Sequence, residues 1–356
     1  MKVQKLPEVF NHKDGQLAFA DFHAHVYQDF AKPDPVYTTD RFKAQVDALK
    51  LMYDKARELN YMVTFAGDLF HKRSLLDTRV FTHIFSVIAQ YEDVPTLLVR
   101  GNHDSVTNSL DTVSTLDPFS ELPNCYVVTK PEVLQSDLGT FVCLPYGEEI
   151  DTMKEFLVKA SKVKGTTKYL IAHIGVDGSQ TGRYSHSLGG EFSVGDLQPD
   201  AYKAVILGHY HNRQTLGGLA HVHYVGSAIA TTFNDEGMEK GYSLIDKKGN
   251  ISFEAIPQKQ FITVDVNHVP EDEVLKNNYI RFQGTPEELS VVAELKEANQ
   301  LDNIRLVVQK SYEVDTRIDI DASSSPHTVV KKYTEEECPY LTDKALECLQ
   351  EALAIE

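Results

Sequence analysis

Apolar residues in this chain arrive in short runs separated by longer stretches of helical period. The runs LAFAD (17–21), YMVTFAG (61–67) and VPTLLVR (94–100) predict strands. Between the first two lies DRFKAQVDALKLMYDKARELN (40–60), where Phe42, Val46, Leu49, Tyr53, Ala56 and Leu59 recur at spacings of three and four and mark one helix face, with Thr39 or Asp40 available as the cap. Val80, Ile84, Val87 and Tyr91 mark a second helix. This βαβαβ order implies parallel strands joined by right-handed crossovers. Further strands are expected at 140–144, 168–172 and 203–207. HVHYVG (221–226) and YSLIDKKGNISFEAI (242–256) read as antiparallel, the latter as a hairpin turning at KKGN. Residues 278–310 read strand–helix–strand, with a capping box between Thr285 and Glu288 and Pro286 at the first helical position. EVDTRIDID (313–321) alternates as a strand. A second capping box, Thr334 to Glu337, is expected to open the tail helix, whose Leu346, Leu349 and Leu353 share a face.

Length and composition narrow the class. A chain of 356 residues, 42% hydrophobic and 24% charged, suits one large domain and a smaller one. Four cysteines without a CxxC pair argue against a disulfide framework or a zinc knuckle. The opening MKVQKLPEVFNHKDG has no apolar core and no stretch approaches a membrane span, so a soluble, cytoplasmic protein with no membrane partner is expected. The net charge of −17 opposes polyanionic partners. That charge is uneven: residues 313–356 hold eleven acidic and four basic side chains, seven of the excess negative charges.

The chemistry lies just past the strands. LAFA runs into Asp21 and His23, and MVTFAG into Asp68 and His71. LLVRG runs into Asn102, His103 and Asp104, YLIA into His173, and AVILG into His209 and His211. Six of the fourteen histidines sit in these five loops. Each stretch alone reads as an ordinary polar turn. Together, each after a strand of an α/β sheet, they mark the crevice at the carboxyl ends of the strands, where such sheets bind ligands. Asp, Asn and His supply oxygen and nitrogen donors suited to manganese, iron or zinc. A carboxylate between two such ions can bridge them about 3.5–4 Å apart, and the pair activates water and clamps a phosphate for in-line attack. Asn102 can coordinate without adding charge, and Gly67, Gly101 and Gly208 let the backbone turn close to the metals.

These residues resemble the calcineurin-like metallophosphoesterases, and within them the SbcD-type DNA-repair nucleases, the meiotic-recombination exonucleases and their phage relatives. The resemblance spans roughly residues 17–256 and includes YVGSAIATTFNDEGMEKGY after the GHYH stretch. It implies a four-layer α/β/β/α sandwich with a small C-terminal α/β cap and a helical tail, divided at 1–256, 257–321 and 322–356. By position, Asp21, His23, Asp68 and His211 would hold one metal; Asp68, Asn102, His173 and His209 would hold the other, with Asp68 bridging. His103 matches the catalytic histidine that is not a ligand, and His71, in GDLFH, the histidine facing the scissile phosphate in the nuclease branch. Asp104 is open between orienting the His103 ring and shaping the turn. The two ions expected are Mn²⁺, with Fe²⁺, Zn²⁺ and Mg²⁺ as alternatives.

The same resemblance implies a DNA nuclease, exonucleolytic on duplex ends and endonucleolytic on single strands, working as a homodimer with an SMC-like (SbcC-type) ATPase in recombination, repair or DNA degradation. Lys72, Arg73, Arg100 and Arg183 are available for phosphate contacts, and the charge of two cations offsets part of the acidic balance. The tail helix either folds back on the core or docks the ATPase. Two departures stand out: about sixteen residues precede the first strand, and His25 follows the first ligand pair where the family has an apolar residue and glycine. His25 reads either as a solvated loop histidine or as a substrate contact. The alternative function is a phosphoesterase acting on nucleotides, phosphoproteins or other phosphoesters. A partner-binding scaffold of the same fold is a third reading, disfavoured by the complete ligand set.

Overall fold

Alternation within the apolar runs decides the architecture. In a computed structural model that describes residues 1–165, 167–181, 187–188, 190–298, 301–308 and 325–353, five strands lead to the loops singled out above: Gly15–Phe19 (β1), Tyr61–Ala66 (β2), Thr96–Val99 (β3), Lys168–His173 (β4) and Ala204–Gly208 (β5). Successive side chains of a strand point to opposite faces. Leu17, Phe19, Val63, Phe65 and Leu98 therefore pack on the helices Asp40–Glu58 (α1) and Thr78–Gln90 (α2). Ala18, Met62, Ala66, Leu97 and Val99 face the other way, against Phe141, Cys143, Tyr169, Ile171, Ala204 and Ile206 of a second sheet. That sheet's outer residues, among them Val142, Leu170, Val205 and Leu207, meet Met153, Leu157 and Ala160 of the helix Ile150–Ser161 (α3). Three apolar layers between four sets of elements make the α/β/β/α sandwich.

The first sheet runs Ile251–Ala255, Gly241–Asp246, β1, β2, β3, Cys125–Val128, with β1, β2, β3 and Cys125–Val128 parallel. The second runs Val3–Lys5, Glu132–Gln135, Thr140–Leu144, β4, β5, Leu219–Tyr224, Gln214–Leu216, with β4 and β5 parallel in its middle. Parallel register brings the strand ends level: Phe19 pairs with Phe65, Ala66 with Val99, and His173 with Gly208. The polar residues that follow converge at one mouth of the sandwich.

Several elements depart from expectation. Leu219–Tyr224 is antiparallel to Gln214–Leu216, as read, and parallel to β5, because Gln214–Leu216 is laid on the outer edge first and the hairpin returns the next strand between the two. The hairpin at KKGN forms as read. Thr39 caps α1, its side chain accepting from the Phe42 N–H at 3.1 Å. The N-terminal extension is structural: Val3–Lys5 adds an edge strand, and Leu6 and Phe10 bury between the sheets. The strands Val3–Lys5 and Glu132–Gln135 give no clear apolar run, and CYVV (125–128) and FITVD (261–265) are too short for a period, so all four escape the reading.

Phe261–Asp265, Tyr279–Gly284 and Ile304–Val308 form a three-stranded sheet with its own core, including Ile280, Phe282, Leu289 and Val292. The capping box there is present, with Thr285 N–H donating to Glu288 (2.9 Å) and Glu288 N–H to Thr285 Oγ1 (3.3 Å). By packing, the chain divides into Met1–Val307 and Val308–Glu356. The second unit holds two helices, Pro326–Glu337 and Thr342–Leu353, packed against each other. The second capping box is not formed. Ser325 caps the first tail helix instead, and Thr334 lies inside it, its hydroxyl donating to the carbonyls of Val330 (2.8 Å) and Lys331 (3.1 Å). The Ser-Pro pair supplies an earlier start that the Thr-Glu signal could not override. EVDTRIDID and the Leu353 side chain lie outside the described residues. Among the described residues no helix is long and apolar enough to cross a membrane.

Candidate metal centre

The loops after β1 to β5 deliver their polar groups by sharp turns. Asp21, His23, Asp68 and His209 have φ of 49°, 47°, 65° and 112°, a region L-residues rarely adopt and that collects at functional sites. Gly67 and Gly101 are required by contact. A Cβ on Gly67 would lie 2.1 Å from His173 Nδ1, and one on Gly101 2.1 Å from Asp68 Oδ1.

Two clusters share Asp68. In the first, His23 Nε2 lies 3.0 Å from His211 Nε2 and 3.7 Å from Asp68 Oδ2. Asp21, His23 and His211 present ligand atoms all within 4.8 Å of one another. In the second, His173 Nε2 lies 3.5 Å from Asp68 Oδ2 and 2.9 Å from Asn102 Oδ1, which is 3.1 Å from His209 Nδ1. All seven residues expected as ligands are thus brought together around Asp68, though Asp21 also groups with Asp68 and His173, across the two sets expected. Asp21, Asp68 and His173 are buried.

Neighbouring atoms fix how these groups present themselves. A carbonyl only accepts, so His173 Nδ1 donates to Ala66 O (2.7 Å) and Nε2 is the nitrogen turned toward the cluster. The His209 N–H donates to both Asp21 oxygens at 3.0 and 3.1 Å. The cluster consists of carboxylate and amide oxygens and imidazole nitrogens converging at separations where lone pairs repel unless a proton or cation lies between them. Burial, which opposes charge on His173, is outweighed by Asp68, and the ring's pKa rises to about 9. A field that holds a proton there so firmly also favours a cation, since the two compete for the same lone pair. The donor set fits two divalent ions bridged by Asp68.

Of the neighbouring residues, Asp104 takes the second of its two readings, and Arg100 departs from expectation. Asp104 does not orient the His103 ring. Its buried carboxylate accepts the backbone N–H groups of Asp68 (2.8 Å), Leu69 (2.9 Å), Phe70 (3.3 Å) and Gly101 (3.0 Å), tying the two loops together. The His103 ring is held instead by the His71 carbonyl, to which its Nδ1 donates at 2.5 Å, while its N–H donates to Asp68 Oδ1 at 2.7 Å. Arg100 is buried, its guanidinium donating to the Tyr146 carbonyl at 2.7 Å, and so is a clamp on the loop rather than a phosphate contact.

His71 stacks on His103 with ring centroids 5.9 Å apart and lies 5.6 Å from His23. Burial, then the neighbouring His25, His103 and Lys72, push its pKa down to about 4. His25 is half-buried, 5.1 Å from both His71 and Tyr27. His25 and His71 also line a groove of about 410 Å³ with Tyr27, Phe30, Phe233 and Arg305. Lys72 is exposed on the rim and Arg73 is partly buried beside it; Arg183 lies outside the described residues. The sequence reading missed Tyr146, whose ring packs 5.7 Å from His209, and Asp235 and Lys240 behind His211. The last two lie in the stretch following GHYH, where only the overall resemblance, and no ligand-type spacing, could have pointed to them.

Among curated proteins none matches this chain. A solved dimetal phosphatase from Danio rerio is similar over 65% of this chain and 92% of that one, at 10% identity and a TM-score of 0.39, too distant to carry an argument about this site. The model of the calcineurin-like phosphoesterase family matches residues 17–213, more than half of the chain and a span that contains all seven candidate ligands, both candidate catalytic histidines and the five strands that present them. The protein belongs to the calcineurin-like phosphoesterases, metal-dependent hydrolases of phosphoesters.

Proposed function

We propose that the chain is a DNA nuclease hydrolysing phosphodiester bonds. The observation that carries this reading is His71, an imidazole beyond the seven candidate ligands, set between the metal centre and a groove lined by Tyr27, Phe30 and Phe233. Aromatic side chains beside a phosphate site suit stacked bases, and a polynucleotide offers both groups. Two divalent ions held there, Mn²⁺ in this reading, with Fe²⁺, Zn²⁺ and Mg²⁺ as alternatives, would supply Lewis-acid activation of water and neutralise phosphate charge.

The protein's own residues do the rest. Asp21, His23, Asp68 and His211 hold one ion, and Asp68, Asn102, His173 and His209 the other. His103, its Nδ1–H held by the His71 carbonyl, keeps Nε2 for the cleft; as the imidazolium it would give its Nε2 proton to the leaving oxygen and return to the neutral Nδ1–H ring. His71 faces the scissile phosphate from the groove side and positions His103 through its main chain. Lys72 and Arg73 contribute positive charge at the rim, as does Arg183 in the resemblance. The protein acts in the cytoplasm as a homodimer with an SMC-like ATPase that supplies the DNA affinity an acidic chain lacks. The small sheet, as residues 257–321, caps the cleft, and residues 322–356 dock the ATPase.

Purified protein with Mn²⁺ should degrade end-labelled duplex DNA and circular single-stranded DNA, and hydrolyse a chromogenic phosphodiester in preference to a phosphomonoester. Hydrolysis of the monoester alone would favour the other reading, a phosphoesterase acting on nucleotides, phosphoproteins or other phosphoesters.

A further inference from the structure

Behind His211 lies an ion pair that the chemistry above does not use. Asp235 and Lys240 are both buried, with side chains 2% and 1% exposed, and Lys240 Nζ donates to Asp235 Oδ1 at 2.7 Å. The other ammonium protons go to Ser227 Oγ (2.5 Å) and to the backbone carbonyl of His211 (3.2 Å). The second carboxylate oxygen accepts Thr231 N–H (2.9 Å), Thr231 Oγ1 (3.0 Å) and Thr232 N–H (3.2 Å). Asp235 Oδ1, the oxygen that meets the ammonium, also lies 3.5 Å from His211 Nδ1.

A buried ion pair is a poor device for stability alone, because desolvating both charges offsets most of their attraction and well-packed apolar residues often serve as well. This one grips His211 at two points: a carboxylate faces the far nitrogen of the ring, and an ammonium holds its main-chain carbonyl. A carboxylate at that nitrogen favours the Nδ1–H form and leaves the Nε2 lone pair directed at His23 Nε2, 3.0 Å away. His23 has no such support, since its Nδ1 is buried without a hydrogen-bond partner. In the first cluster the orientation of the imidazole ligands therefore depends on one supported ring.

We propose that Asp235 and Lys240 are positioning residues for His211, fixing its tautomer and direction so that they set the affinity of one metal site and leave the other unchanged. This rests on the reading of His211 as a ligand. The measurement is Mn²⁺ binding to the full chain by titration calorimetry, with stoichiometry by elemental analysis, for wild type, Asp235→Asn, Lys240→Met and His211→Ala. Asp235→Asn turns an amide donor toward the ring and the ammonium, and should weaken one equivalent about 10–100-fold while the second binds as in wild type. Lys240→Met should shift the same equivalent in the same direction. A ¹⁵N spectrum of metal-free wild type should show His211 protonated at Nδ1, and this readout needs no variant to fold. An Nε2–H tautomer in wild type, or two ions bound at wild-type affinity in Asp235→Asn, overturns the proposal. If His211→Ala loses one ion while Asp235→Asn loses none, positioning fails and the ligand reading stands. If His211→Ala binds both ions normally, the ligand reading itself fails.

Discussion

At the scale of single residues, the division of labour in RGNHD can be tested directly. Asn102 presents its oxygen to two imidazoles, whereas His103 is pinned by main-chain contacts and keeps one nitrogen for the cleft. His103→Ala should therefore bind two metals and DNA almost normally and cleave about 10²–10⁴-fold more slowly, read as kcat alongside elemental analysis. Asp68→Asn should instead weaken both sites, since one carboxylate serves both clusters; full two-metal occupancy in that variant would sink the bridge. Asp104→Ala makes the opposite kind of defect, leaving four backbone donors without their acceptor. At about 1–3 kcal/mol for each unsatisfied buried group, it should unfold at markedly lower temperature in chelator, where no metal contributes. The ligand types were legible in the sequence because coordination chemistry restricts which side chains can serve. The role of Asp104 was not, because a carboxylate that binds main-chain N–H groups three dozen residues away leaves no local spacing to read.

At the scale of elements, strands and helices with strong periodicity were legible and those defined by their neighbours were not. The α1 face of Phe42, Val46, Leu49, Tyr53 and Ala56 is buried as its spacing demands. Leu219–Tyr224 is antiparallel to one neighbour, as read, but its parallel pairing with β5 was not legible, because the order in which strands enter a sheet is not written in their composition. That strand also carries a test of its own. His223 is buried in it, with Ser243 Oγ 3.2 Å from its Nε2, and burial pushes its pKa down from 6.5 to about 4. Between those values the unfolded chain takes up a proton that the folded chain refuses, so the contribution to stability is complete above pH 6.5 and falls as pH drops toward 4. The loss amounts to about 2 kcal/mol between pH 8 and pH 5. His223→Gln should flatten the stability curve by that amount over this range in denaturant titrations; an unchanged slope would mean that the ring is not held neutral.

At the scale of the whole molecule, the division at Val307 predicts that the tail is dispensable for folding. Deletion of residues 326–356 should leave the circular dichroism transition and Mn²⁺-dependent cleavage of simple substrates intact and, if the tail docks an ATPase as proposed, abolish stimulation by that partner. A truncated chain that fails to fold would place the tail in the core instead. The parallel βαβ core was legible from the order of runs and periods, whereas the sandwich, two sheets paired face to face, was implied only by family resemblance. That pairing has a mechanical side. Asp21, Asp68 and Asn102 follow strands of one sheet, and His173, His209 and His211 belong to the other, so each cluster spans the seam between them. Elsewhere the seam is mainly apolar contact, crossed by a few polar pairs such as His223–Ser243 and Tyr126–Glu132, and such contact resists separation better than sliding. Ions seated at the mouth would act as rivets, turning two plates that can shear into a braced box. Pulled between residue 252 on one sheet and residue 215 on the other, the protein should yield at a higher force with Mn²⁺ than with chelator, and Asp68→Asn should remove most of the difference.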